Sequence, residues 1–335
     1  MRRTLLMVAL MLAACGGDTS QVELTGSTMG TQYSVKLPAL LDDHSRQRVQ
    51  QSVEAMLDSD NTQMSTWMAE SEISRFNDSQ SLEWQPVSSG FCSKIEAAQA
   101  ISAFTDGAFD ITVGPLVNLW GFGPDEMIDE PPTADAIAAL LAITGFENLH
   151  SDCSQPAIRK DVAGLKLDLS AIGKGMAADR VGQMLAAIGY EDYLVEVGGE
   201  LSIRGLNARG EPWAIGIEAP LVNQRRPHTV VHLTDTGMAT SGDYRNFFEA
   251  DGAVYSHTID TRTGRPVTHA LASVTVVHES AARADALATA LLVMGPDEGM
   301  AFAEREELAI LMLIRTNGGI EERQTAAFAK LRDIT

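Results

Sequence analysis

The sequence is short of cysteine, of basic charge and of long apolar runs, and each shortage removes a class of protein. Three cysteines among 335 residues cannot build a disulfide-dense scaffold. Lys and Arg number 25 against 45 Asp and Glu, a formal net charge of −20. That balance argues against a binder of the nucleic-acid backbone, because phosphate attracts clustered cations. Only the extreme N-terminus approaches the run of about 20 apolar residues that a membrane span needs, which excludes a polytopic membrane protein. A disordered chain is excluded too, since 45% of the residues are hydrophobic. What remains is an acidic globular chain, long enough for one large domain or two smaller ones.

The first residues read as an address. Met1-Arg2-Arg3 is a positive n-region, Thr4 to Met11 an apolar stretch, and Leu12-Ala13-Ala14-Cys15 has the small residues and cysteine of a bacterial lipobox. The spacing predicts a signal peptide over residues 1–14, lipid on Cys15, and a short tether over 15–21 ahead of one catalytic domain over 22–335. Loss of Arg2 and Arg3 with the leader makes the mature chain more acidic still. Cys92 and Cys153 lie in no CxxC or Cys/His cluster, so zinc and redox catalysis are not indicated. In an exported protein they fit one bridge or two buried thiols equally well.

Helices and strands intersperse along the chain. Alternation at Tyr33, Val35 and Leu37 predicts a strand within Val22 to Leu37. Helical spacing marks Asp42 to Asp58, Gly90 to Phe104, Thr133 to Thr144 with Thr133 as N-cap, Met176 to Ile188 and Ser280 to Met294. Further strands are expected at Leu165 to Leu169, Tyr193 to Ile203, Trp213 to Glu218, Thr229 to Leu233, Gly237 to Ser241, Ala253 to Thr258, Ser273 to Val277 and Leu308 to Ile314. Short turns join the later strands, which predicts an α+β fold with largely antiparallel sheet. Pro124 to Pro132 is an acidic loop.

Few residues stand out chemically. Asp285 and Thr289 are spaced i, i+4 on a helix otherwise made mostly of Ala and Leu, so they share a face. Oxygen donors without His or Cys suit Mg²⁺ or Ca²⁺. The competing reading has Asp285 favouring its own helix dipole and Thr289 bonding back to the helix backbone; spacing alone favours this second reading. Asp168-Leu169-Ser170-Ala171-Ile172-Gly173-Lys174-Gly175 leads a strand through a small-residue turn into a helix. It is a weak anion-site signal, equally a capped turn with a solvated lysine, and it is not a P-loop. Gly198 and Gly199 interrupt a strand pattern before Glu200, which suggests a bulge or a close backbone approach. Ser256-His257-Thr258-Ile259-Asp260 holds no hydrolase triad, because neighbours on a strand face opposite ways and no nucleophile elbow is present. His257 is a general base or a structural histidine.

Together these segments resemble the FAD:protein FMN transferases, the ApbE lipoprotein family. The likeness runs in order through Thr28-Met29-Gly30-Thr31, Met64-Ser65-Thr66-Trp67, Ser71 to Asn77, Gly107 to Leu116, Asn118 to Gly123, Asp168 to Gly175, Val197 to Glu200, Thr240 to Tyr244, Ser256 to Asp260, and Ala284 to Leu292. The resemblance implies an ApbE-like fold. It also implies a Mg²⁺-dependent enzyme that cuts the FAD pyrophosphate, joins FMN to a Thr or Ser hydroxyl of a target protein, and releases AMP. The targets it implies are flavin-carrying subunits of exported or membrane redox complexes, such as the sodium-translocating NADH:quinone reductase, with an acceptor segment like Ser/Thr-Gly-Ala-Ser/Thr.

By position, Ala171 (through its carbonyl), Asp285 and Thr289 would hold Mg²⁺, which reverses the reading favoured by spacing alone. Met29, Trp67, Ala108, Phe109, Asp110, Asp168, Lys174 and Ile259 would line FAD. Family members often carry Tyr where Trp67 stands, and the Lys174 position varies among them. Asp285 and His257 are the expected catalytic residues, His257 as the base. Two alternatives stay open on sequence: a Mg²⁺-dependent FAD pyrophosphatase using the same residues, and a non-enzymatic lipid-tethered flavin binder. The expected location is the bacterial cell membrane, inner or outer, with the domain facing the periplasm and no nucleic-acid partner.

Overall fold

A computed structural model describes residues 21–124, 128, 130–221, 226–243, 247–250 and 253–332. The leader, Cys15, Tyr244 and part of the acidic 124–132 loop lie outside the described residues.

Eight strands form one sheet with every ladder antiparallel. They are β1 (Val22–Thr28), β2 (Thr31–Leu37), β3 (Tyr193–Val197), β4 (Glu200–Arg204), then, beyond the ribbon strands β5 (Trp213–Glu218) and β6 (Pro227–Leu233), β7 (Thr236–Gly242), β8 (Leu271–His278), β9 (Ala309–Thr316) and β10 (Gly319–Gln324). The spatial order is β1-β2-β3-β4-β7-β8-β9-β10, while β5 and β6 pair only with each other. This is the α+β, largely antiparallel architecture the turn spacing predicts.

Both faces of the sheet are covered, so side chains alternate between two cores. Val35, Val195, Val276 and Met312 pack under helices, whereas Leu194, Leu201, Val277 and Leu311 pack against the ribbon and a C-terminal helix. The helical layer contains α1 (Asp43–Met64), α2 (Ser89–Phe104), α3 (Gly173–Ala187) and α4 (Ala281–Arg305), and α5 (Ala326–Arg332) sits on the ribbon side. Asp60 of α1, fully buried, draws Lys94 of α2 (3.0 Å) and Arg180 of α3 onto one carboxylate, which fixes α3 against its neighbours. The expected stop of α4 at Met294 coincides with a break: Gly295 has φ 81 and Pro296 follows it. Thr133 caps its helix as predicted, accepting from the Ala136 N–H.

Two expectations change. Tyr193 to Ile203 is a hairpin and not one strand, because Gly198 and Gly199 (φ 65 and 108) form a two-residue turn with Val197 opposite Glu200. Leu165 to Leu169 is extended but joins no sheet; its one bridge is Val113 to Lys166. The Asp168 N–H donates to the Ile111 carbonyl (2.7 Å), and side chains take further backbone groups. The Asn77 amide donates to the Leu167 carbonyl (2.9 Å) and accepts from the Leu167 N–H (2.7 Å), and Lys160 donates to the Leu165 carbonyl (3.0 Å).

Cys92 and Cys153 form a disulfide that ties α2 to the turn after a short strand. It closes a loop with a sequence separation of 61 residues. The chain-entropy model then gives a loss of about 4 kcal/mol on reduction. Neither cysteine reaches the cavity described below. Reductant is therefore expected to lower the thermal midpoint while leaving flavin affinity intact, checked by melting and flavin titration with and without dithiothreitol.

Candidate active site

The site begins where α3 and α4 touch. A Cβ on Gly175 would stand 2.4 Å from the Ala281 carbonyl oxygen, so only glycine lets the two helix starts approach. Each helix then satisfies the other's free N–H groups. Asp179 of α3 accepts from the N–H groups of Ala281 and Ala282 (both 3.0 Å) and from the Ser280 hydroxyl (2.7 Å). Asp285 of α4 accepts from the Gly175 N–H in the first turn of α3 (3.0 Å). Asp285 thus serves the neighbouring helix and not its own, whose cap is Ser280.

Asp285 is 3% exposed. Burial pushes its carboxyl above the usual range, while Lys174 and the Gly175 N–H act in the opposite sense. One turn on, Thr289 shares a hydrogen bond with the Ser241 hydroxyl of β7 (3.0 Å) and makes no back-bond to its helix. The loop that carries Ala171 is folded by Asp168, which accepts from the Ser170 N–H (2.7 Å), and by the Leu169 carbonyl, which accepts from Gly173 (2.7 Å). Ala171, Asp285 and Thr289 line one cavity of about 1290 Å³. A buried carboxylate with a hydroxyl one helical turn on, and the Ala171 loop lining the same cavity, fits a hard cation that keeps several waters. Among the described residues no three His, Cys, Asp or Glu side chains cluster as a metal site.

Lys174 lies on the same wall, with Nζ 3.7 Å from Glu200 Oε1 and 3.3 Å from the Ser170 carbonyl. Burial works against its charge, but Asp285 and Glu200 outweigh burial and raise its pKa. Glu200 is 5% exposed, and its Oε2 has no hydrogen-bond partner. Burial pushes its carboxyl up to about 8 against the pull of Lys174, and Asp285 adds to the rise. Glu200 and Ser241 are the residues that the sequence did not single out. Glu200 was visible only as the acid after Gly198 and Gly199, and Ser241 only as the end of an expected strand and part of the Thr240 to Tyr244 likeness.

The cavity also gathers Trp67, Ala108, Phe109, Asp110, Asp168, His257 and Ile259. Trp67 is 72% exposed at its mouth. The Asp110 carboxylate is fully engaged in folding its own turn, accepting from the Thr112 N–H and hydroxyl (2.7 Å each) and the Phe146 N–H (2.9 Å). His257 meets the Phe122 ring edge to face at 6.2 Å. Met29 stands apart from this group. It occupies the β1–β2 turn at φ 49, packed between two cores, and is not on the cavity wall.

The ApbE family model matches residues 29–312. The chain belongs to the ApbE family. It is a transferase, as the resemblance led one to expect. An FAD:protein FMN transferase of Vibrio cholerae is 44% identical over 333 residues, covering 98% of each chain. One from Escherichia coli K12 is 40% identical over 324 residues, covering 94% of this chain and 92% of its own. The ApbE fold extends over nearly the whole length. The solved flavin transferase ApbE of Vibrio cholerae superposes with TM-score 0.85 at 42% identity, covering 93% of this chain and 99% of the other. The flavinyl transferase ApbE of Pseudomonas stutzeri, in apo form, gives 0.86 at 40%, covering 94% and 98%.

Proposed function

We propose that this ApbE protein transfers FMN from FAD to a Ser or Thr hydroxyl of a target protein, with Mg²⁺, releasing AMP. The observation that carries the reading is that Ala171, Lys174, His257, Asp285 and Thr289 line one cavity, in a chain whose relatives are named for this transfer. The acceptor oxygen forms a bond to the phosphorus of the FMN half. The bond from that phosphorus to the bridging oxygen breaks, AMP leaves with that oxygen, and the hydroxyl proton passes to a ring nitrogen of His257. When bound by Ala171, Asp285 and Thr289, Mg²⁺ neutralises phosphate charge and polarises a phosphoryl oxygen. Lys174 adds a positive charge beside the same loop. Incubation with FAD, Mg²⁺ and an acceptor domain, followed by in-gel flavin fluorescence, tests the reading. Free FMN and AMP with an unlabelled acceptor would mark a pyrophosphatase instead.

Trp67 offers a bare aromatic face at the cavity mouth. Base–aromatic stacking is worth about 1–3 kcal/mol. Trp67→Ala is therefore expected to weaken FAD binding by about 5- to 150-fold with little change in kcat, and Trp67→Tyr to restore most of it. Fluorescence titration and steady-state kinetics check both.

The predicted lipid on Cys15 would hold the enzyme at the membrane, facing the periplasm, near flavin-carrying subunits of the sodium-translocating NADH:quinone reductase type. The Cys92–Cys153 bridge supports an oxidising compartment. Among the described residues no helix is long and apolar enough to cross a membrane.

A further inference from the structure

The cavity, about 1290 Å³, extends past the residues that the family likeness assigns to flavin and metal. The residues that the family likeness assigns to flavin and to metal and that line the cavity lie along the 168–174 loop and the α3–α4 crossing, the 108–110 turn, the 257–259 segment and at Trp67. The opposite lobe is built differently. Its wall is β5, and its floor is the part of the sheet that the ribbon leaves open, where Gln32, Lys36 and Glu196 line the cavity. Tyr33, Val35, Leu37, Val195 and Val197 point to the other core, so these floor residues face the ribbon side.

The ribbon is placed so that one edge is free. β6 is drawn toward the far end of the sheet, where His228 meets Glu322 of β10 (2.7 Å). β5 lies on the side of Leu194, Leu201 and Met238, with Trp213, Ile215 and Ile217 pointing down into that core. Apart from β6, no strand among the described residues pairs with β5. The Ala219 N–H crosses to the Arg226 carbonyl on the β6 side (3.0 Å). Alternation along an extended strand then turns the backbone groups of Ala214 and Gly216 away from β6, toward the lobe. Both residues are exposed. Such an edge is normally blunted by Lys, Pro or a bulge on the edge itself; Trp213-Ala214-Ile215-Gly216-Ile217 carries neither Lys nor Pro, and where the ladder shifts register between Ile217 and Glu218 the extra residue, His228, lies on β6, so β5 keeps its alternation.

We propose that this lobe binds the acceptor polypeptide as an extended segment hydrogen-bonded to the free edge of β5, its Ser or Thr reaching toward Asp285 and His257. A row of backbone donors and acceptors at about 3.3 Å per residue over a charged floor matches a polypeptide, and it does not match a flavin ring. Because the lobe is continuous with the flavin side of the same cavity, a chain seated on β5 delivers its hydroxyl without crossing solvent. The inference rests on the transferase reading.

Gly216→Pro and Ala214→Pro each remove a free-edge N–H, at positions where an edge strand tolerates proline. Their expected effect is a rise of about tenfold in KM for an acceptor domain bearing a Ser-Gly-Ala-Thr segment, the loss of one or two backbone hydrogen bonds. FAD affinity and thermal midpoint should stay at wild-type values. In the wild-type enzyme, the same acceptor domain should slow hydrogen exchange at residues 213–217, a readout that needs no variant to fold. Acceptor KM unchanged in both folded variants, FAD affinity falling in parallel, or no added protection would each overturn the docking edge. Wild-type enzyme that cleaves FAD yet labels no acceptor would overturn the transferase reading, and this inference with it.

Discussion

Asp285→Asn is expected to lower FMN transfer at least about a thousandfold, a cost of about 4 kcal/mol in the transition state. The same substitution is expected to leave the fold as stable as before, or more so. The two effects separate because Asp285 has two partners of different kinds. Its Oδ2 accepts from the Gly175 N–H, and an asparagine oxygen can accept the same bond. Its negative charge, by contrast, is buried, and burial holds the carboxyl above its ordinary 3.8. A folded-state value above the unfolded one means that the folded chain binds the proton more tightly. Stability at this site is then lost as pH rises from the ordinary carboxylate value through the raised one. Asparagine has no such loss, and it relieves Glu200 of a neighbouring negative charge. In chelator at neutral pH the variant should therefore melt at or above the wild type. Added Mg²⁺ should reverse the order, because only the wild type gains from binding, by about 2.7 kcal/mol at a hundredfold excess over the dissociation constant. Transfer that survives in Asp285→Asn, or a midpoint that responds equally to Mg²⁺ in both proteins, would sink the metal assignment.

That crossing of stability and activity was half visible in the sequence. The i, i+4 spacing of Asp285 and Thr289 shows that they share a face, but spacing cannot say what the face meets. The structure supplies the partners: the start of α3 for Asp285 and Ser241 for Thr289. Both lie far away along the chain. Leu165 to Leu169 teaches a related lesson. Alternating leucines report burial, and all three are buried, yet burial does not reveal who takes the backbone hydrogen bonds. Here the takers include Asn77 and Lys160, which no local pattern announces. Glu200 was hidden for a third reason. A carboxylate on a strand is ordinarily solvated, and only the fold of the β3–β4 turn over Lys174 makes it a buried one. Where the signal is local, as with the Thr133 cap, the alternation of β2 or the helix stop at Gly295, sequence and structure agree.

His257→Gln is expected to lower kcat by about 10²- to 10⁴-fold, the usual range for removing a general base, while FAD affinity holds within about threefold. The imidazole is held by a braced segment. Trp120 stacks on Tyr255 (5.5 Å between centroids) and donates from Nε1 to the Gly264 carbonyl (2.8 Å), so both ends of the 255–264 stretch are pinned to one indole. Thr261 donates to the Gly107 carbonyl (2.6 Å), joining this stretch to the turn that carries Phe109 and Asp110. Phe122 closes one edge of the ring. Glutamine keeps the polarity and much of the bulk, so the brace should survive and the cavity should keep its shape. What it cannot do is accept the hydroxyl proton and hold it as a cation. A base and a structural histidine therefore predict different patterns. Loss of a base lowers kcat alone, with the thermal midpoint and FAD affinity held. Loss of a structural histidine lowers the thermal midpoint and FAD affinity together with kcat. Single-turnover transfer, with melting and flavin titration on the same preparations, separates the two. A variant that transfers at near wild-type rate would remove His257 from the chemistry and leave its packing on Phe122 as its role.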